Sequence, residues 1–191
     1  MIERLSQAIK ASKVFAAKND VRYYLNGVAL HIQGKTVVNV VATDGHCCCV
    51  IGPELRHDSE VVVVSNHDVP ILLRALEGLP EGTSTVDGLK IDHMKLVIGD
   101  YSVPLVEGRF PDTSRIIPAQ KRNASSEVGL QPEYLARLKP FKSELCKHLK
   151  PRERAAVGCT MKAGDANECV RFDFTNEKID RAIVIISPMR L

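Results

Sequence analysis

Asp44-Gly45-His46 runs directly into Cys47-Cys48-Cys49, and these are residue types that build metal centres and catalytic thiols. A zinc site needs ligands that converge, commonly Cys-x2-Cys with a second pair elsewhere. Consecutive residues of a strand point to opposite faces, so three cysteines in a row cannot all reach one ion from a regular strand. Cys146, Cys159 and Cys169 offer no second pair, and His46 alone does not complete a shell. A nucleophilic thiol needs a depressed pKa and an adjacent base. His46 and Cys47 are strand neighbours and would face apart. The reading that remains is a half-buried strand in which cysteine serves as a small hydrophobe.

Other templates for chemistry are missing as well. There is no phosphate-binding Gly-x-x-x-x-Gly-Lys-Ser/Thr, no Gly-x-Ser-x-Gly and no His-Glu-x-x-His. Asp44, Asp100 and Asp112 stand beside turns, where aspartate bonds to backbone. No active site, metal or cofactor is expected. Between residues 137 and 154, Arg137, Lys139, Lys142, Lys147, Lys150, Arg152 and Arg154 face only Glu144 and Glu153. That run reads equally well as a solvated helix face or as a contact for nucleic-acid phosphates.

The elements that must position these residues follow from patterning. The chain has 191 residues, 45% of them hydrophobic, which is enough for a sizeable core. Aromatic residues are only 5%, so Val, Ile and Leu must build that core, and β-branched residues favour strands. The formal charge of +3 neither demands nor excludes a polyanionic partner. No apolar run approaches membrane-span length and the amino terminus is not a signal sequence, so the expected compartment is the cytoplasm, with reduced thiols.

Residues 2–17 have helical periodicity, with Lys10 and Lys13 on the polar side. Strands are expected at 23–33, 36–43 and 46–51, then at 60–64, followed by a helix over 68–76 with Ser65 as its cap. Short strands follow at about 84–86, 89–91, 95–98 and 102–105. A third round has a strand at 127–130, a helix at 132–138 and strands at 169–174 and 181–186. Residues 141–168 are expected to form a surface helix followed by a loop. Helix-plus-strand units repeated about three times, with helices on one face of antiparallel strands, give an α+β fold.

Four stretches carry a resemblance: "DVRYYLNGV" (20–28), "VATDGH" (41–46), "VEGRFPDTSRIIP" (106–118) and "SPMRL" (187–191). Together and in this order they resemble the bacterial DNA polymerase III beta subunit, the sliding clamp. The resemblance implies a DNA-clamp fold of repeated half-units, helices lining a central hole and sheets forming the rim. It divides the chain into a middle-domain-like part, 1–119, and half of a third-domain-like unit, 120–191, with a basic insertion at about 139–168. With only three half-units, closure of a ring would need new interfaces.

The resemblance also implies a non-enzymatic role. Such a protein would be a replication processivity factor that tethers polymerases and related proteins through short peptides. As a ring-forming homo-oligomer it would hold duplex DNA non-specifically, with Lys10, Lys13, Arg74 and Arg137 as contacts. The alternative is an adaptor or decoy that binds the same peptides without encircling DNA. The implied peptide groove comprises Arg22, Tyr24, Leu25, Thr43, Gly45, His46, Cys48, Pro111, Arg115, Ile116, Ile185, Ile186, Pro188, Met189, Arg190 and Leu191. Cys47 and Cys48 stand where the family usually has Arg and Leu, and Ser187 stands in place of a Met. These changes shrink the apolar contact and remove a cation.

Overall fold

Runs of valine and isoleucine set the strands, and glycine- or aspartate-bearing turns separate them. The computed structural model describes residues 2–53, 55, 58–77, 85–86, 88–117, 128–163 and 168–189. The elements are α1 (Leu5–Ser12), β1 (Gly27–Gln33), β2 (Thr36–Thr43), β3 (Cys47–Ile51), β4 (Glu60–Ser65), α2 (Val69–Ala75), β5 (Lys90–Asp92), β6 (Lys95–Ile98), β7 (Tyr101–Pro104), α3 (Pro132–Ala136), α4 (Leu138–Leu145), α5 (Pro151–Ala156), β8 (Thr160–Lys162), β9 (Val170–Phe174) and β10 (Ala182–Ile186). Seven strands form one sheet in the order β4-β1-β2-β3-β10-β9-β8, and β5-β6-β7 form a second. Every strand pairing among the described residues is antiparallel, in keeping with the α+β class.

The large sheet buries both faces around its middle. One face meets the helices in a core that includes Ile2, Leu5, Ile9 and Phe15 from the amino-terminal segment and Phe141 and Leu145 from α4. Phe141 stands edge-on to Phe15 at 5.4 Å and to Phe174 at 5.3 Å, locking α4 to the end of α1 and to β9. The other face carries a smaller cluster of Leu25, Ala29, Val41, Cys48, Val50, Val63, Phe110, Ile183 and Ile185. Cys47 and Cys49 point to the first face and Cys48 to the second, as strand alternation requires. All five residues of β3 are buried, so the half-buried expectation is corrected. The cause is position: β3 lies between β2 and β10, with a cluster on each side.

The two ends of the chain are also tied by polar contacts. The Asp180 carboxylate accepts the Glu3 and Arg4 N–H groups at 2.6 and 3.0 Å, just ahead of α1. These donors precede a helix and have no intrahelical acceptor of their own.

Several boundaries differ from expectation. Residues 2–17 give only two turns of α-helix and then a tight turn at Lys13–Phe15. Tyr23–Leu25 is a 3-10 turn, and β1 begins at Gly27. A one-residue bulge between β1 and β2 lets Val37, Val40 and Ala42 all face the helices despite their odd spacing. Ser65 Oγ accepts the Asp68 N–H at 3.1 Å, holding the turn ahead of α2 rather than capping its first residue. Thr85 makes an isolated bridge to Thr36 in place of a strand, and Ser84 lies outside the described residues. Val128–Leu130 is not a strand, and Glu127 lies outside the described residues. The helix expected at 132–138 is broken at Arg137 into α3 and α4. The loop expected before 168 holds α5 and β8, with 164–167 outside the described residues.

One glycine is demanded by close approach. A Cβ on Gly27 would lie 2.3 Å from the Val64 carbonyl oxygen, where β1 meets β4. Gly27→Ala is expected to lower the unfolding free energy by about 2 kcal/mol in urea titrations, the range of an overpacked core site.

Candidate functional site

The Asp44-Gly45-His46 turn is held by a closed set of hydrogen bonds. Asp44 Oδ1 accepts the N–H groups of His46 and Cys47, both at 2.8 Å. Thr43 Oγ1 donates to the Cys47 carbonyl at 2.7 Å and accepts the Gly45 N–H at 3.0 Å. Gly45 has φ +92°, and a Cβ there would lie 2.9 Å from an Arg22 guanidinium nitrogen. Arg22 donates to the Asp44 carbonyl at 3.3 Å and pairs with Asp20 at 2.8 Å. That guanidinium lowers the Asp20 carboxyl to about 2.

A second arginine braces the turn from a distant part of the sequence. Arg137, at the junction of α3 and α4, donates from Nη1 to Asp44 Oδ2. Burial alone would raise the Asp44 carboxyl; the Cys47 and His46 N–H groups and Arg137 outweigh it and hold it below its ordinary value. The Arg137 guanidinium lies 5.5 Å over the Tyr134 ring, and the same ring stacks on His46 at 5.8 Å with 16° between planes. Tyr134 and Asp44 were missed as site residues. Nothing in the spacing of "PEYLAR" ties it to a turn ninety residues earlier; only the fold joins them.

The residues expected in the groove separate into buried and accessible ones. Leu25, Cys48 and Ile185 share the smaller cluster, each only 1% exposed, so they do not form an open wall. Ile185 is the register partner of Cys48. Ile186 points to the helix side and is not brought to this cluster. Tyr24 is half-buried against the cluster and packs against Gly108. His46 and Met189 are exposed and Pro188 is half-buried. The Ser187 N–H donates to the His46 carbonyl at 2.9 Å, and the Met189 N–H to the Gly129 carbonyl at 2.9 Å. Arg115, paired with Asp112, and Ile116 are exposed on the turn Thr113–Ile116. Arg190 and Leu191 lie outside the described residues.

Two cavities flank these residues. One, of about 450 Å³, is lined by Pro111, Phe110, His31 and Val61 among others. The larger, about 940 Å³, is lined by Lys10, Lys13, Lys18, Arg22, His46 and Arg137, with Asp20 and Asp44 as its carboxylates. Both carboxylates are engaged by arginine, which leaves Lys10, Lys13 and Lys18 to set the sign of the cleft. Lys13 Nζ also donates to the Asn66 carbonyl at 3.1 Å. Arg74, the remaining expected DNA contact, is exposed on α2 and does not line the cleft.

The thiols of β3 are poorly suited to nucleophilic chemistry. Burial pushes Cys47 up to about 12 and raises Cys48 and Cys49 well above the ordinary thiol range. Among the described residues no group of three His, Cys, Asp or Glu side chains is placed to hold a metal ion.

Residues 2–112, more than half of the chain, match the family model for the DNA polymerase III beta subunit, central domain. The chain belongs to this family. It is 33% identical over 120 residues to the beta sliding clamp of Pseudomonas putida, covering 60% of this chain and 32% of that protein. It is 28% identical over 186 residues to the beta sliding clamp of Haemophilus influenzae, covering 92% of this chain and 50% of that one. The chain thus spans a third to a half of the length of these relatives. A crystal structure of the Pseudomonas aeruginosa DNA polymerase sliding clamp with ligand superposes over 98% of this chain and 64% of that one, with a TM-score of 0.66 at 19% identity. At that identity the likeness speaks for the fold, and the fold is that of the sliding clamps. Among the described residues no helix is long and apolar enough to cross a membrane.

Asp44 makes the turn acid-sensitive. Its folded value is depressed, so its contribution is present in full above the ordinary aspartate value and is lost as pH falls through the lower folded value. Asp44→Asn is expected to cost about 2 kcal/mol at pH 7, the scale of hydrogen bonds to a charged group. It should also flatten the stability profile below pH 4, as measured by urea unfolding across that range.

Proposed function

We propose that this chain is a sliding-clamp-type tether: a non-enzymatic protein that holds replication or repair partners by short apolar peptides and keeps them at DNA. The observation that carries the reading is the meeting of the segment after β10 with the Asp-Gly-His turn. β10 pairs with β3, and the segment after it bonds to His46. In this reading Tyr24, which packs on the smaller cluster, serves with His46, Pro188 and Met189 as an apolar and aromatic rim, and Leu25, Cys48 and Ile185 of that cluster serve as the floor. Exposed Met189 suits a peptide site because its side chain adapts to shape. In this reading residues 1–119 act as the middle-like domain and 120–191 as half of a third-like unit.

Lys10, Lys13 and Lys18 in the neighbouring cleft supply sequence-independent phosphate contacts, with Arg74 on the same layer of helices. The buried, high-pKa cysteines support a binding role rather than a thiol enzyme.

The test uses a fluorescein-labelled short peptide carrying Leu and Phe as apolar anchors. Met189→Asp is expected to weaken its binding at least tenfold in fluorescence polarisation while the melting temperature holds. Equal affinity in the variant would remove the rim from the site. Light scattering and retention on closed circular DNA then separate a ring from an open adaptor. A closed multimer trapped on circles and released by linearisation is expected; a monomer that elutes equally from both favours the adaptor.

A further inference from the structure

We infer that Arg137 is a positioning residue for the partner site, and not one of the phosphate contacts. The inference rests on the peptide reading above but concerns a residue that reading does not use. By charge and location Arg137 looks like a DNA contact, since it lines the basic cleft with Lys10, Lys13 and Lys18. Its guanidinium is already engaged twice. It donates to Asp44 Oδ2 and it lies over the Tyr134 ring.

Both engagements act on the Asp-Gly-His turn. The other oxygen of Asp44 holds the His46 and Cys47 N–H groups, which fixes where His46 leaves the backbone. Tyr134 fixes the imidazole itself by stacking. Arg137 therefore sets the His46 backbone through Asp44 and its ring through Tyr134. The pair is also shielded: the Asp44 side chain is 13% exposed and that of Arg137 is 32%. A partly buried ion pair is screened less by salt than a surface pair. Withdrawing Arg137 toward a phosphate would leave the Asp44 carboxylate half-buried and short of its partner, which is costly. Lys10 is exposed and has no such obligation, so the phosphate role falls to the lysines.

The experiment compares the wild-type chain with Arg137→Gln, Arg137→Lys, Asp44→Asn, and the Asp44→Asn/Arg137→Gln double variant. Binding of the fluorescein-labelled Leu/Phe peptide is expected to fall about tenfold in each neutralised variant. The double variant should be no weaker than either single one, because both remove the same brace. Arg137→Lys, which keeps the charge, should recover part of the loss. The His46 ring proton signals should move toward those of an unstacked imidazole in Arg137→Gln. A merely structural role for Arg137 would leave them in place whenever the fold holds. The salt dependence of binding to a duplex oligonucleotide should keep its slope in Arg137→Gln and lose it progressively in Lys10→Gln and Lys13→Gln.

Losses that add in the double variant, or unmoved His46 signals, overturn the inference. So does a salt slope reduced by about 0.9 in Arg137→Gln, the mark of one phosphate contact. If the wild-type chain ignores the peptide, the groove reading fails by itself. The His46 signals and the salt slope then still decide the role of Arg137.

Discussion

The pairing of β10 with β3 is the constraint on which the rest of the molecule depends. Five register pairs, from Ala182 opposite Ile51 to Ile186 opposite Cys47, join the last strand to the third. This pairing turns an edge strand into an interior one and gives Cys47–Ile51 neighbours on both sides. It carries β9 and β8 into the same sheet and places Phe174 against Phe141, which in turn meets Phe15. It also delivers the chain after Ile186 to the carbonyl of His46. Without it, the three-cysteine run would present one side of its backbone unpaired, and the small cluster holding Cys48 would lose Ile183 and Ile185.

Charge is organised around the same junction. Asp44 sits between two arginines more than a hundred residues apart in the chain, Arg22 on its carbonyl and Arg137 on its carboxylate. Asp20 neutralises Arg22, and Asp44 neutralises Arg137. Simple counting would give the larger cleft five cationic side chains; pairing leaves its field to the lysines. The basic run at 137–154 is likewise drawn into structure. Arg154 donates to the carbonyls of Lys147 and Leu149, and Lys147 pairs with Glu144. A row of positive charge in the sequence thus translates only in part into a free surface.

Much of this was legible from the residues alone. β-branched runs marked β2, β4 and β10 closely, because a pleated and buried environment leaves little else that fits; β3 was bounded by the turns at Asp44-Gly45 and Gly52-Pro53. Strand alternation was enough to send Cys48 to the face opposite Cys47 and Cys49. What local pattern could not supply was the strand on the second side of β3, since β10 lies more than a hundred positions away. The same limit hid Tyr134: its stacking on His46 depends on where α4 settles against α1, which no periodicity encodes. The bulge opposite His31 disguised which valines of "TVVNVVAT" face the core. Leu25 and Ile185 are expected in the groove from the resemblance alone, and their near-complete burial emerges only when both clusters are assembled.

Synthesis order gives the central pairing a further consequence. The ribosome makes β3 long before β10, and every residue between Ile51 and Ala182 must be added first. At about 5–20 residues per second this takes on the order of ten seconds. Throughout that interval β3 is an apolar strand with an unsatisfied backbone edge and cysteines on both of its faces. Such an edge is a template for pairing with another nascent chain. The native sheet is therefore completed only once β10 has been made, and its yield depends on what shields that edge until then.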